Sequence, residues 1–195
     1  MDSRHKVVHR EKSMDKQFYL LTAGGVDSKG IVFELTKLLT AFSFNIEDSS
    51  MVMLRRTFSV IVLLSREDPR LPDPLNQRLR SFGDRFGMSV DFRRITRKEM
   101  QEYDGKGKRY MISISGADRP GIVRSITGAI VKKGGNIIDL ETKSSQRTDP
   151  PAYYMLLEVD MPAKVSEVAF RQALVRSGKK IGVHVTVQRV VNEIL

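Results

Sequence analysis

The sequence predicts an α+β protein made of two like domains, and three observations carry that reading. First, 28 residues from Leu21 to Asp48, LTAGGVDSKGIVFELTKLLTAFSFNIED, recur without a gap 91 positions later as ISISGADRPGIVRSITGAIVKKGGNIID, Ile112 to Asp139. Gly25, Asp27, Gly30, Ile31, Val32, Thr36, Asn45, Ile46 and Asp48 return as Gly116, Asp118, Gly121, Ile122, Val123, Thr127, Asn136, Ile137 and Asp139. Second, apolar residues follow strand and helix periods in the same order around each copy. Third, the 195-residue chain halves into units of roughly 90 residues, small but able to bury a core. A duplication of this length means paired domains rather than a short-repeat solenoid.

In the first half, Gln17 to Ala23 is rich in strand formers and runs into Gly24-Gly25. Asp27 is the residue type that caps a helix, its carboxylate accepting a backbone N–H two or three positions on. Behind it, Ile31, Val32, Leu35, Leu38, Leu39 and Phe42 lie on one helical face. Phe44 to Leu54 and Thr57 to Ser65 read as strands joined tightly at Arg55-Arg56, a hairpin without the favoured glycine. Pro72 and Pro74 introduce a second helix through Leu75, Leu79, Phe82 and Phe86, ended by Gly87, and Met88 to Ile95 is the last strand.

The second half repeats the order. Lys108 to Ser115 is a strand, and Asp118-Arg119-Pro120 opens a helix with proline in its first turn, where a missing N–H does no harm. Gly121, following Pro120, is expected to hold helical backbone angles. Ile122, Val123, Ile126, Ala129 and Ile130 form the buried stripe, and Gly134-Gly135 ends the helix. Asn136 to Ser144 and Tyr153 to Met161 are strands, Val165 to Ser177 a helix, and Val183, Val185, Val187 and Val190 mark the final strand. The order βαββαβ gives, twice, a ferredoxin-like sandwich: an antiparallel four-stranded sheet with two helices on one face. The expected boundaries are a frayed, disordered tail at 1–16, a first domain at 17–97, a charged linker at 98–107 and a second domain at 108–195.

Composition narrows the function classes. The chain has no cysteine, which removes disulfides, thiolate metal sites and a cysteine nucleophile. No apolar run reaches the roughly 18 residues that span a membrane, and Met1 to Lys16 mixes acids with bases and has no apolar core, unlike a secretory signal. The expected location is cytoplasmic, with no membrane contact. The net charge of +10 favours acidic partners, but the bases are scattered among acids, as in Arg97-Lys98-Glu99.

The recurring element is a strand, then Gly-x-Asp-x-x-Gly, then a helix start. A helix N-terminus presents unpaired N–H groups and partial positive charge, which suit a carboxylate or phosphate. Glycine at 30 or 121 leaves room for a ligand. Asn45 and Asn136 start the next strand with amides that both donate and accept, as a free amino acid requires. Each residue also has a structural alternative: glycine for the turn, aspartate for the cap, asparagine for a left-handed position. On spacing alone that alternative is the stronger.

The stretch GADRPGIV…IT…GGNIID resembles the ACT domain, a small regulatory fold that typically binds amino acids. Asn45 to Ser65, NIEDSSMVMLRRTFSVIVLLS, looks like the glycine cleavage system transcriptional repressor family, proteins of two ACT domains and little else. The resemblance covers Phe18 to Ile95 well and Tyr110 to Val190 more generally. It implies a ligand held where ACT domains meet, partly by backbone N–H groups of the loop. Carried over, the second-domain site is Asp118, Arg119, Pro120, Gly121 and Ile122 with Asn136 opposite. The first-domain site is Asp27, Ser28, Gly30, Ile31 and Asn45. Ser28 and Lys29 replace Arg119 and Pro120, so the two sites are not expected to be equivalent.

The implied function is a non-enzymatic sensor of a small amino acid that modulates a regulatory protein partner, possible as a homodimer, with no cofactor, metal or catalytic set. His5 and His9 lie in the tail, and His184 faces away from the valine row of its strand. Formyltetrahydrofolate deformylases begin with a related domain, but here a second repeat stands where their catalytic domain would begin. The alternative is a basic ferredoxin-like module that binds nucleic acid through its sheet face. It is disfavoured because the aromatic strand of RNA-recognition motifs is missing.

Overall fold

The computed structural model describes residues 16–101, 103, 105 and 107–190. The chain divides into two compact units, one ending at Glu102 and the other beginning at Tyr103. The tail expected over residues 1–16 lies outside the described residues except for Lys16. The first unit consists of β1 (Gln17–Val26), α1 (Ile31–Ala41), β2 (Asn45–Leu54), β3 (Thr57–Arg66), α2 (Pro74–Phe86) and β4 (Met88–Ile95). The second consists of β5 (Lys108–Ala117), α3 (Ile122–Val131), β6 (Asn136–Ser145), β7 (Ala152–Met161), α4 (Glu167–Ile181) and β8 (Val183–Arg189). The sheets have the orders β2-β3-β1-β4 and β6-β7-β5-β8, antiparallel throughout. Both units are ferredoxin-like, as the periodicity predicts.

Alternation decides which face of each sheet meets the helices. Tyr19, Leu21 and Ala23 of β1 and Phe58, Val60, Val62 and Leu64 of β3 are buried beneath Ile31, Leu35 and Leu39 of α1 and Leu75, Leu79 and Phe82 of α2. Tyr19 stacks on Phe92 and meets Phe44 edge-on. In the second unit Tyr110, Ile112 and Ile114 of β5 and Met155, Leu157 and Val159 of β7 lie under Ile122, Ile126 and Ile130 of α3 and Phe170 and Leu174 of α4. Burying an aliphatic or aromatic side chain of this kind is worth about 1.5–3 kcal/mol, so these rows fix the register. One residue is extra at the same place in both repeats: β2 bulges at Glu47 and β6 at Ile138.

The elements differ from the sequence reading in three places. β1 continues through Gly24-Gly25 to Val26 because Gly25 pairs with Phe58 on one side and Met88 on the other. A Cβ on Gly25 would stand 2.6 Å from the Gly87 carbonyl, and one on Gly116 would stand 3.2 Å from the Gly182 carbonyl. Glycine recurs there so that the last strand of each unit can begin against the central strand. α4 runs from Glu167 to Ile181, beyond Gly178, with Ser166 as its N-cap. A Cβ on Gly178 would overlap Val185, so this glycine seats the helix on β8 instead of ending it. Gly182, at φ 72°, ends it. α3 begins at Ile122, so Pro120 lies before the helix.

The β2–β3 hairpin turns at Arg55-Arg56, with Arg55 in the left-handed region at φ 58° that glycine usually supplies. After β4, Thr96 and Glu99 cap each other reciprocally: the Thr96 N–H donates to Glu99 Oε2 at 2.9 Å and the Glu99 N–H to Thr96 Oγ1 at 3.2 Å. No helix among the described residues is long and apolar enough to cross a membrane.

The close approach at Gly25 has a measurable consequence. Gly25→Ala is expected to destabilise the first unit by about 1–3 kcal/mol in urea denaturation, because the clash is with backbone. Gly24→Ala, whose Cβ would meet nothing nearer than 3.6 Å, should leave the midpoint unchanged or raised.

Candidate functional site

β1 feeds Asp27, Ser28, Lys29 and Gly30 into α1, and β5 feeds Asp118, Arg119, Pro120 and Gly121 into α3. Gly30 has φ 89° and ψ −1°, and Gly121 has φ 91° and ψ 0°. These are the angles of the third residue of a type II turn, which need φ > 0, and Pro120 stands where proline suits that turn. The helical angles expected at Gly121 are therefore corrected. The aspartate caps are corrected as well. Gly30 and Gly121 occupy the N-cap positions, and no side chain bonds into either helix start. The turn moves the helix start three residues past each aspartate, out of reach of its carboxylate.

The aspartates anchor the loops instead. The Asp27 N–H donates to the Arg56 carbonyl at 2.8 Å, and the Asp118 N–H donates to the Pro151 carbonyl at 2.7 Å. Asp118 Oδ2 also accepts the Ser144 hydroxyl at 2.6 Å. Burial, reinforced by the negative charge of Asp118, pushes the neighbouring Tyr153 phenol above its ordinary range. Ile31 and Ile122 are core residues, each 2% exposed, and offer only their backbones to the loop surface. Ser28, Lys29, Arg119 and Pro120 are exposed, with the Arg119 guanidinium lying over Gly182.

Asn45 and Asn136 open β2 and β6, but not beside these loops. Asn45 is level with Ser65 and Phe18, and Asn136 with Asp160 and Arg109. The loop of the second unit follows Ala117, at the other end of β5. Eight strand steps from Arg109 to Ala117 separate the two ends by ~27 Å. The expectation that Asn136 stands opposite the Gly121 loop is thus corrected within one domain, and the same holds for Asn45 and Gly30. A helix that returns antiparallel to its strand delivers the next strand to the far end of the sheet.

The asparagine ends carry chemistry of their own. In the first unit Glu47, the bulged residue, accepts Lys16 Nζ at 2.6 Å, Ser65 Oγ at 2.5 Å and Asn45 Nδ2 at 2.8 Å. Lys16, then Ser65 and Asn45, hold the Glu47 carboxyl at a pKa of about 2. In the second unit Tyr103 donates its hydroxyl to Asp160 Oδ2 at 2.9 Å. Nothing in the helical periodicity singles out Glu47, Ser65, Tyr103 or Asp160. Only the strand register brings them to the asparagines.

Charge is distributed differently over the two helical faces. A hollow of about 800 Å³ runs from Gly121 between α3 and α4. It is lined by Arg124, Lys132, Lys133, Arg176 and Lys180 and by no acid, and the Ser125 and Ser177 hydroxyls meet in it at 2.9 Å. The hollow between α1 and α2 is about 400 Å³, lined by Leu38, Phe42, Phe82 and Phe86, with Glu34 and Arg85 3.7 Å apart. It does not reach Gly30. His184 lies on the exposed face of the second sheet, 3.3 Å from Thr186 Oγ1. No cluster of three or more His, Asp or Glu that could hold a metal ion occurs among the described residues.

A βαββαβ unit with a glycine corner at its first helix, present twice, is the architecture of tandem ACT proteins. ACT-domain family models match residues 17–93 and 110–171. The chain belongs to the ACT-domain family and carries the domain in tandem. A UPF0237 protein of Methanopyrus kandleri is 36% identical over 81 residues, 41% of this chain and 86% of that protein. Its counterpart in Methanocaldococcus jannaschii is 33% identical over 81 residues, again 41% of this chain and 86% of that protein. Among solved structures, an unknown protein from Galdieria sulphuraria superposes with a TM-score of 0.75 at 27% identity, covering 91% of this chain and 100% of its own. A candidate glycine cleavage system transcriptional repressor superposes with a TM-score of 0.63 at 15% identity, covering 91% and 99%. At that identity the likeness is one of fold.

Two measurements test these local readings. Gly121→Val is expected to lower stability by about 1–2 kcal/mol through its left-handed backbone alone, since a Cβ there meets nothing within 4 Å. Gly121→Asn should cost less, because asparagine tolerates that region, and thermal melts of the two variants decide it. For Glu47 the folded pKa lies below the ordinary 4.5, so its contribution is complete above that value and is lost as pH falls toward about 2. Glu47→Gln should flatten the pH dependence of stability between these limits, read by denaturation across the series.

Proposed function

We propose that this chain is a non-enzymatic regulatory protein that binds a small amino acid on its ACT domains and communicates the bound state to a protein partner. The observation that supports the reading most directly is the repeated uncapped helix start. A left-handed glycine, with no side chain bonded over it, leaves first-turn N–H groups of α1 and α3 available to a carboxylate, the Ile31 N–H in α1 being already turned to the Ser28 carbonyl. The second domain is the stronger candidate, because its corner opens into the cationic hollow between α3 and α4.

The separation of loop and asparagine bears on how such a ligand is held. A free amino acid is far too short to span ~27 Å between the ends of one sheet. β6 is an exposed edge over nearly its whole length. Antiparallel pairing of β6 with β6 of a second copy, about a twofold axis, sets the start of one strand beside the end of the other. The Asn136 end of one copy then faces the Asp118 to Gly121 loop of its mate. In this arrangement Asp118, Arg119, Pro120, Gly121 and the Ile122 backbone form one wall and Asn136 the other. Asp27, Ser28, Gly30, the Ile31 backbone and Asn45 take the corresponding places in the first domain.

The rival reading, a nucleic-acid-binding module, draws on the five cations beside α3 and α4. That hollow has no aromatic ring on which a base could stack, and the hollow on the exposed face of the second sheet offers the one phenol ring of Tyr154 and mixes Glu141 with Lys143. Calorimetry of the full chain against the common amino acids tests the proposal. Saturable heat is expected from a small amino acid, weakened about tenfold or more by Asn136→Ala through loss of a hydrogen bond to a charged group. Silence from every amino acid at millimolar concentration, with salt-sensitive binding to a random oligonucleotide, would hand the case to the rival.

A further inference from the structure

The Asn136 end of the second domain contains a buried carboxylate with no ion-pair partner among the described residues. Asp160 is 8% exposed, and its Oδ1 has no hydrogen-bond partner among the described residues. Its Oδ2 accepts the Tyr103 hydroxyl. Arg109, directly across the ladder, is committed elsewhere: it is paired with Glu158 and lies over the Tyr103 ring. Asp160, Asn136, Tyr103, Gly107 and Gly134 line a hollow of about 290 Å³. A buried carboxylate without a full set of donors is costly unless a cation or donor reaches it.

The first domain shows what that partner looks like. The repeat offset of 91 places Lys16 at the position of Gly107. The strand registers place Ser65 at the position of Asp160, each opposite its asparagine. In the first domain the lysine ammonium reaches a carboxylate beside Asn45 at 2.6 Å. In the second domain the lysine is replaced by glycine, and the carboxylate has moved onto β7. Glycine is demanded there, because a Cβ on Gly107 would overlap Asp160 Oδ1. Among the described residues no ammonium takes the place of Lys16, and a carboxylate, an amide and a hydroxyl line a small hollow.

We infer that this hollow binds a primary ammonium group from outside the domain, taking the place that Lys16 fills in the first domain, so that only the second domain accepts one. The inference rests on the proposed amino-acid reading for the source of that ammonium, and not for the ammonium chemistry itself. Asp160 supplies the negative charge, Asn136 Oδ1 an acceptor, and Tyr103 a hydroxyl that already orients the carboxylate. The α-ammonium of a free amino acid and a lysine of a protein partner share this chemistry.

The test uses the full chain and follows backbone and side-chain amide signals of Gly107 and Asn136 by NMR. Ethylammonium, glycine, acetate and tetramethylammonium are titrated in turn, together with a lysine-containing peptide blocked at both ends. Ethylammonium is expected to shift these signals with one site per chain, whereas acetate and tetramethylammonium, which lack N–H donors on a cation, should not. Glycine tighter than the peptide identifies a free amino acid as the source. The peptide tighter than glycine identifies a partner lysine and counts against the amino-acid reading while sparing this one. Asp160→Asn should weaken ethylammonium binding about tenfold or more. Asp160→Ser, which installs the residue of the first repeat, provides a second variant if the amide misfolds. Lys16→Ala should raise the stoichiometry from one to two by exposing Glu47. Equal response to tetramethylammonium, no response to ethylammonium, or unchanged affinity in a folded Asp160 variant would overturn the inference. A stoichiometry fixed at one in Lys16→Ala would overturn the equivalence of the two ends.

Discussion

Antiparallel pairing on both sides of the central strand determines where chemistry can occur in each domain. β1 and β5 are each hydrogen-bonded to two neighbours over most of their length, and the buried rows on one face lock their registers. A one-residue slip would turn Tyr110, Ile112 and Ile114 out of the core, so the ladder acts as a rigid ruler. One end of that ruler carries the glycine corner and the uncapped helix. The other carries the asparagine, the bulge and the acidic side chains. The two ends cannot be brought together by any small movement of the domain.

The recurring glycines divide their work under this constraint. Gly25 and Gly116 are spacers that let the last strand start against the central one. Gly30 and Gly121 are conformational: they have open space around them and are required by positive φ. That open space is what the proposed ligand site would use: among the described residues nothing lies within 4 Å of a Cβ at either position. The tandem ACT architecture therefore repeats a packing device and an open glycine corner in the same short motif. Their identical spacing reflects one fold, and their physical causes differ.

Divergence between the repeats is concentrated away from the shared motif. The first domain neutralises Glu47 with its own lysine and lines its helical groove with phenylalanine. The second domain lines its helical groove with five cations, from Arg124 in the first turn of α3 to Lys132 and Lys133 just past its far end, and leaves Asp160 Oδ1 without a hydrogen-bond partner among the described residues. The first groove also carries Lys37, Arg78 and Arg85 beside Glu34, so the repeats differ in the apolar lining of the groove and in the partner of the carboxylate at the asparagine end.

The amino-acid sequence alone determined the duplication, the order of elements, the positions of the glycine corners and the buried faces, except that Val32 and Val123, expected on those faces, are exposed. Each of these follows from local periodicity or from residue types within a few positions of one another. It misjudged the aspartates as caps and Gly121 as helical, because a tight turn and a helical first turn use the same residues. Tertiary structure decided the rest: that Asn136 lies a full strand away from its loop, that Asp160 faces it, and that Gly107 makes the room. Those relations depend on registers set by hydrophobic burial across four strands and on a single-residue bulge at Ile138. Such non-local pairings are fixed by the packed sheet and leave no periodic trace in the chain.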